Sequence, residues 1–357
     1  MKKLSLALIL FISLVANATI RTVSNSPSTL AQFNTIQAAI TASNSGDTIY
    51  VHGSPNAYAA FTITNKQLVI IGPGWSPNKN LPLGAAVPGF TITGASSSNT
   101  EIQGLIITST ISINAAHPDN IRFIRNRFFN LSLQIGEGSV TYNGYLFEGN
   151  MFDNAQVSAT SGSTYQNFLF QNNYFFENGT VLGGNISGFV SATSILFNHN
   201  LWFGPGSGTR DCFAGNCQFL SLTNNIFVRR DAASQNGFST FNNNITFNAG
   251  NNTPWASNNN VNAGGNISNT DPQMVDQVAV NAGTNNPLLD FTIPSGPANN
   301  AGSDGKDIGL LYDVIGSLNW TTSRGSRLPF IFSMNITNPT IPVGGTLSVV
   351  VEARKNN

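Results

Sequence analysis

The sequence predicts an all-β parallel β-helix, a solenoid in which each coil stacks on the preceding one. A pattern of apolar, any, apolar, any, any, Asn, any, apolar recurs along the chain, and its asparagines are Asn126, Asn150, Asn173, Asn200, Asn225 and Asn244. Their spacings are 24, 23, 27, 25 and 19 residues, which is typical of repeats that bury their faces against neighbours. Within each copy the apolar residues alternate and are mainly β-branched or aromatic, as strands require.

The recurring asparagines are predicted to turn inward. Equivalent residues of stacked coils lie above one another, so their amides can form a hydrogen-bonded ladder. Surface turns are the alternative, since asparagine tolerates the left-handed conformation, but the fixed register against the apolar positions favours the ladder. In one copy we expect solvent contact for Gln171 and Asn172. We expect burial of its three phenylalanines, Phe168, Phe170 and Phe175.

The N-terminus resembles an export signal. Lys2 and Lys3 precede an apolar run over 4–15, and Ala16-Asn17-Ala18 supplies small residues for cleavage. The run is too short to cross a membrane, which takes about 20 residues. We therefore expect a signal peptide over 1–18, no transmembrane segment, and a bacterial protein that is secreted, periplasmic or on the cell surface.

A helix is predicted to cover the first coil, because the end of a strand stack needs a cap. Residues 33–42 have apolar side chains at helical spacing, and Asn34 with Gln37 matches a capping box. Gly46 ends the helix. The segment GDTIYVHG (46–53) is then predicted as the first strand.

These N-terminal segments carry a family resemblance. TIQAAITASNSGDTIYVHG, the later NKQLVIIGPG and the Asn-centred copies resemble the pectin-lyase-like superfamily of right-handed, single-stranded parallel β-helix proteins. Residues 287–311 are similar to the closing segment of its secreted bacterial members. The resemblance implies a β-helix over 19–315, and 316–357 is predicted as a short C-terminal β extension with two strands. The resemblance does not imply one activity, because the superfamily holds lyases, hydrolases, esterases, epimerases and adhesins.

The charge balance excludes some partners. The chain carries 16 basic and 16 acidic residues, and removing the two lysines of the signal leaves 14 against 16, a net charge of −2. That balance does not favour nucleic acid. No dense Asp/Glu cluster supports Ca²⁺. We expect a monomer with no metal and no cofactor, and an extracellular polysaccharide as its partner.

Catalytic residues are suggested by the resemblance. Polysaccharide lyases of this superfamily abstract a proton with a basic residue, and the candidates here are Arg125, Glu148 and His199. A solvated charged face is the more ordinary interpretation of these residues. Asn269-Thr270-Asp271 matches a polygalacturonase motif, but the paired aspartates and Gly-His-Gly of those enzymes do not follow it. Galacturonan hydrolysis is therefore disfavoured.

Ligand contacts are also predicted at a loop and at aromatic residues. The glycine-rich loop 203–219 carries Arg210 and a close cysteine pair, and a Cys212–Cys217 disulfide is expected in an oxidising compartment. Tyr174 and Trp255 offer planes that could stack on sugar faces, although core packing is the commoner fate of such rings.

Two functions remain open from the sequence. The first is a non-catalytic secreted or cell-surface protein that interacts with carbohydrate, suggested by the fold, the export signal and the missing catalytic sets. The alternative is a polysaccharide lyase or another carbohydrate-active enzyme that acts on an extracellular glycan.

Overall fold

A computed structural model of the 357-residue chain describes residues 18–76, 81, 83–114, 116–179, 183–205, 210–312, 320, 330–336, 344, 346 and 348–354. The predicted signal peptide falls on residues outside this set, apart from Ala18. No helix among the described residues is long and apolar enough to cross a membrane.

Three parallel sheets form the body of the molecule, and each central coil contributes one strand to each sheet in turn, while the coils at the two ends contribute to fewer sheets. Sheet 1 contains Ile20–Val23, Thr48–Val51, Val69–Ile71, Glu101–Gln103, Arg122–Ile124, Leu146–Glu148, Leu169–Gln171, Ile195–Asn198, Leu220–Thr223, Thr240–Asn242 and Val261–Asn262. Sheet 2 contains Ala86–Val87, Ile106–Ile107, Arg127–Phe129, Met151–Asp153, Tyr174–Phe176, Leu201–Phe203, Ile226–Val228 and Ile245–Phe247. Sheet 3 contains Phe61–Thr64, Phe90–Thr93, Ile111–Asn114, Ser132–Ile135, Gln156–Ala159, Ile186–Ser187 and Phe213–Ala214. The predicted parallel β-helix is confirmed.

Shorter parallel groups lie in the connections between sheets 3 and 1 and between sheets 2 and 3. They are Thr141–Asn143 with Thr164–Gln166 and Ala192–Thr193, Arg210–Asp211 with Arg230–Asp231, and Cys217–Gln218 with Asn236–Gly237. Two 3-10 turns, Ala95–Ser97 and Pro254–Ala256, complete the connections among the described residues.

Aromatic stacking fills the interior of the coils. Phe123, Phe147, Phe170 and Phe197 are register partners in sheet 1, and neighbouring rings stack with centroids 4.5 to 5.1 Å apart. Such contacts add about 0.5 to 1.5 kcal/mol per pair to the gain from burial. The predicted burial of the three phenylalanines in 168–175 is confirmed.

The asparagines at the turn from sheet 1 to sheet 2 form one ladder. Asn150 Oδ1 accepts hydrogen bonds from the backbone N–H (2.9 Å) and side-chain amide (3.3 Å) of Asn126. Its own Nδ2 donates to Phe123 O, at 2.9 Å. The same bonds recur through Asn173, Asn200, Asn225 and Asn244. One further member, Asn266, extends the ladder beyond the six predicted residues. These hydrogen bonds thus offset the desolvation cost of burying the amides.

The N-terminal cap differs in detail from the prediction. Helix α1 spans Ile36–Ala42 and packs on the first strands. Its N-cap is Thr35, whose hydroxyl accepts from the Ala38 N–H (3.1 Å), so the capping box with Asn34 is wrong. Gln37 lies too early in the helix for that role, and its amide pairs with the backbone of Thr62. A strand before the helix, Ile20–Val23, precedes the predicted first strand.

The chain after the last coil returns over the outer face of sheet 2. Helix α2 spans Gln277–Asn281, and residues 274–310 supply apolar side chains that cover the outward residues of this sheet. The covered residues include Tyr174, Leu201, Phe203 and Ile226, and the covering ones include Met274, Val280, Phe291 and Ile308. The strands of sheet 2 from Met151–Asp153 to Ile226–Val228 are therefore buried on both faces.

This return also corrects one prediction. Asn172 is fully buried, and its Oδ1 accepts from the backbone N–H of Leu311 (2.8 Å). Its turn position faces the closing segment, so the predicted solvent contact of Asn172 is wrong. Gln171 is half-exposed.

Two antiparallel strands, Phe330–Ile336 and Val349–Arg354, end the described chain. They confirm the predicted strand pair. The side chains of the second strand are all exposed, so that strand does not bury a face on the coils.

Candidate functional site

The predicted catalytic residues lie along one edge of the β-helix, at the turns from sheet 1 to sheet 2. Arg125 and His199 occupy equivalent left-handed turn positions, each with φ of +54°, directly before ladder asparagines. Gly149 and Asn172 take the same position in the two coils between them. Glu148 ends the sheet 1 strand just before Gly149. The structure thus brings the three candidates to one row of turns.

These residues are buried. Arg125, Glu148 and His199 are 2%, 4% and 1% exposed. Gln171 Nε2 donates to Glu148 Oε2 (2.6 Å). The interpretation of Arg125 as part of a solvated face is therefore wrong. The neighbouring Arg122 does keep an exposed side chain. A general base must lie within hydrogen-bonding reach of its substrate. The low exposure of the three side chains does not favour that role.

His199 fastens the closing segment to the coils. Gly309 O can only accept, so His199 Nδ1 (3.2 Å away) carries the proton, and Nε2 accepts from Asn224 Nδ2 at 3.1 Å. Asp304 Oδ2 also lies 3.1 Å from Nε2, an ion pair only when the ring is protonated. Burial lowers the pKa of His199, and Asp304 opposes that shift. The neutral ring is the form that this environment favours.

Acid should therefore weaken the fold through His199. The lowered folded-state pKa means that the unfolded chain binds the proton first, as pH falls below about 6.5. Stability is then lost at up to about 1.4 kcal/mol per pH unit, until the folded-state pKa is reached. Urea unfolding of wild type and His199→Asn from neutral to acidic pH measures this. The stability difference between them should shrink as pH falls, and parallel curves would contradict the assignment.

The predicted aromatic contacts are corrected by the structure. Tyr174 lies in the core between sheet 2 and the closing segment, and its hydroxyl contacts Asn285 Oδ1 (3.0 Å). Burial raises the pKa of Tyr174 well above its ordinary value. Trp255 packs against Phe241 inside the last coils. Neither ring presents a face to solvent, because Tyr174 packs against Phe203 and Phe291 and Trp255 packs against Phe241.

The cysteines belong to the scaffold, while Arg210 is half-buried against it. The Arg210 guanidinium lies so close to Gly179 that a Cβ there would overlap it. Cys212 and Cys217 are free and buried thiols, so the predicted disulfide is wrong. The Cys217 thiol instead contacts Ala214 O (3.3 Å), and burial raises its pKa to about 11. Buried protonated thiols are unreactive.

A second row of turns, before sheet 1, presents different chemistry. Its positions have positive φ in every coil from residue 99 onward, and they hold Asn99, Asn120, Gly144, Asn167, Ser194, Phe219, Phe238 and Asn259. Asparagine and glycine suit this conformation. The two phenylalanines do not, since a bulky residue with positive φ is a genuine outlier.

Phe219 and Phe238 form an exposed aromatic pair. The two residues lie in adjacent coils, and their backbone φ angles are +59° and +53°. They are 53% and 48% exposed. The rings stack with centroids 5.6 Å apart and an interplanar angle of 28°. Strained residues of this kind cost about 1 to 3 kcal/mol and concentrate at binding sites.

An amide-lined cleft of about 390 Å³ adjoins this pair. Phe238 forms part of it, and the remaining lining residues are Asn216, Cys217, Gln218, Gln235, Asn236, Gly237, Asn258 and Asn259. None of these described lining residues is charged. Each amide can both donate and accept hydrogen bonds. An exposed aromatic plane beside neutral hydrogen-bonding groups is the candidate site.

The sequence contains a signal for this site that the repeat analysis missed. The turn residue lies six positions before each ladder asparagine from Asn126 to Asn244. These residues are Asn120, Gly144, Asn167, Ser194, Phe219 and Phe238. The phenylalanines stand out only once the fixed offset and its left-handed backbone are known.

The stacked sheets, the inward asparagine ladder and the returning closing segment define the class as a parallel β-helix protein. Similar solved structures include the crystal structure of pectate lyase Pel9A, at 13% identity over 85% of this chain and 96% of that chain, with a TM-score of 0.39. A rhamnogalacturonan lyase is 11% identical over 64% of this chain and 68% of that chain, with a TM-score of 0.26. No protein-family model and no curated protein matches the chain. Function must therefore be argued from its own side chains.

Proposed function

We propose that this chain is an exported protein that binds an extracellular polysaccharide at the Phe219–Phe238 pair and the adjoining amide cleft. The single observation that carries the proposal is the exposed, stacked pair of phenylalanines in a left-handed row otherwise built from Asn, Gly and Ser.

The chemistry of the site suits sugars. A pyranose ring has apolar C–H faces that pack on aromatic planes, and its hydroxyls both donate and accept hydrogen bonds. The cleft offers amides from Asn216, Gln218 and Gln235 next to Phe238. Binding sites generally combine an apolar surface with a few placed polar groups in this way.

Backbone strain supports a functional role for the rings. Left-handed conformations cost about 1 to 2 kcal/mol per residue for side chains with a Cβ. Stacking of the two rings offsets about 0.5 to 1.5 kcal/mol. Asparagine at either position would suit the backbone better, so stability alone does not explain the choice of phenylalanine.

Export is part of the proposal and rests on the N-terminal sequence. The charged start, the apolar run over 4–15 and Ala16-Asn17-Ala18 have the order of a secretory signal. Export would place the aromatic pair where cell-wall and matrix polysaccharides occur.

The double variant Phe219→Asn/Phe238→Asn tests the site. We expect wild type to be retained by at least one polysaccharide in affinity electrophoresis against neutral and acidic gels. The variant should lose at least about thirtyfold in affinity, since two stacking contacts of about 1 kcal/mol each are removed. Its thermal midpoint should equal or exceed that of wild type, because the strain is relieved.

Val278→Asn provides a matched control, since this valine is exposed on helix α2, away from the site. It should bind as wild type does. Absence of binding by wild type to every polysaccharide, or unchanged binding by the double variant, would overturn the proposal.

A further inference from the structure

We infer that the ligand is a neutral, extended glycan chain that runs along the coil axis, across the outer face of sheet 1, from the Phe219–Phe238 pair to a second cleft at Arg122. This inference rests on the proposed function and adds the direction, the length and the charge class of the ligand.

The second cleft shows how the turn row and sheet 1 meet. It has a volume of about 390 Å³, and its lining includes the turn residues Asn99, Asn120 and Gly144. It also includes the outward residues two positions further along, Glu101, Arg122 and Leu146. Because the coils repeat, Phe219 and Phe238 have the same relation to Ser221 and Thr240. The aromatic pair therefore borders the outer face of sheet 1.

A row of leucines on the outer face of sheet 1 lies between the aromatic pair and the cleft at Arg122. Leu146, Leu169 and Leu196 are register partners in consecutive strands, and all three are half-exposed. Ser221 and Thr240 continue their row to the phenylalanines.

A polar row follows the leucines on the same face. Gln171 and Asn198 are half-exposed in this row, two residues along each strand from Leu169 and Leu196. Apolar methyls beside amides suit a polymer whose repeating units each present a C–H face and hydroxyls.

The register fixes the length of this path. Thr240, Ser221, Leu196, Leu169, Leu146 and Arg122 are successive partners, which makes five strand-to-strand steps. Neighbouring strands lie about 4.8 Å apart, so the path is about 24 Å long. A disaccharide cannot span it.

The charges along the path favour a neutral chain. Arg122 forms an ion pair with Glu101 at 2.9 Å, and the outward row from Leu146 to Thr240 is uncharged in the described structure. Glu148 is buried and bonded to Gln171. A polyuronate would bring repeated negative charge against a surface without free cations, a mismatch that disfavours it.

Isothermal titration with cello-, manno- and xylo-oligosaccharides of increasing length, and with polygalacturonate fragments of matched lengths, tests the inference. Affinity for one neutral series should rise by about tenfold, or about 1.4 kcal/mol, up to chains of about 24 Å and then stop rising. Leu169→Thr should remove most of that rise and leave binding of the shortest oligosaccharide unchanged. Gln134→Thr, on the exposed face of sheet 3, is the control and should behave as wild type.

The outcomes separate the two proposals. Length-independent binding, tighter binding of polygalacturonate, or a length effect untouched by Leu169→Thr would overturn this inference while the aromatic site stands. Absence of binding to every polysaccharide and oligosaccharide would overturn the proposed function itself.

Discussion

Asn173→Ala is expected to lower the free energy of unfolding by about 3 to 5 kcal/mol. Asn173 Oδ1 accepts from the backbone N–H of Asn150 (2.9 Å) and from its side-chain amide (3.1 Å), while its Nδ2 donates to Phe147 O (2.9 Å). Alanine would leave these groups without partners inside the coil. Each buried unsatisfied group costs about 1 to 3 kcal/mol. Equilibrium urea denaturation measures the loss.

The end of the ladder provides the matched control. Asn266 bonds back to Asn244 and is half-exposed, so Asn266→Ala should cost about 1 to 2 kcal/mol because water can replace part of what is lost. Equal losses at both positions would mean that the ladder does not contribute through buried hydrogen bonds.

Arg230→Met is expected to cost about 3 to 5 kcal/mol, the usual effect of breaking a buried charge network. The Arg230 side chain is fully buried, and its Nη2 donates to Asn185 Oδ1 (2.8 Å) and Asp211 O (2.6 Å). Burial lowers the pKa of Arg230, and the negative charge of Glu177 is among the influences that oppose this shift. Methionine would leave Asn185 Oδ1 and Asp211 O without this donor and would remove a positive charge that acts on the buried Glu177.

Two comparisons isolate that effect. Arg229→Met changes the adjacent, half-exposed arginine and should cost less than about 1 kcal/mol. Adding Glu177→Gln to Arg230→Met should restore part of the stability, since the uncompensated carboxylate is removed. Strict additivity of the two substitutions would contradict the assigned charge coupling.

The burial of sheet 2 determines where a ligand can bind. Its outward apolar residues are covered by the closing segment, which also reaches the turns that hold Asn172 and His199. Of the predicted catalytic residues, His199 contacts this cover directly, and Arg125 and Glu148 are buried in the same row of turns. Sheet 1 keeps an outer face with half-exposed leucines and the aromatic pair at its border. The candidate site therefore lies on the face that the closing segment leaves open.

The repeat made the scaffold predictable. Alternating apolar positions and an asparagine in constant register specify strands that stack in parallel, so the core phenylalanines and the ladder follow from periodicity alone. The helical spacing of 36–40 located α1, but its first residue depended on whether Thr35 or Asn34 reached the N2–N3 backbone. Such local competition between capping side chains is decided by a few tenths of a kcal/mol.

The sequence by itself determined the solenoid, its inward asparagines and its aromatic interior, because these depend on short-range pattern repeated in every coil. Only the tertiary structure decided which polar and aromatic residues reach solvent. Tyr174 and His199 are covered by residues more than a hundred positions later in the chain. Phe219 and Phe238 are exposed because a left-handed turn directs them outward beside a cleft. The long-range coverage leaves no periodic trace in the sequence. The turn row has a constant offset from the ladder, but its two phenylalanines stand out only once the left-handed backbone of that row is known.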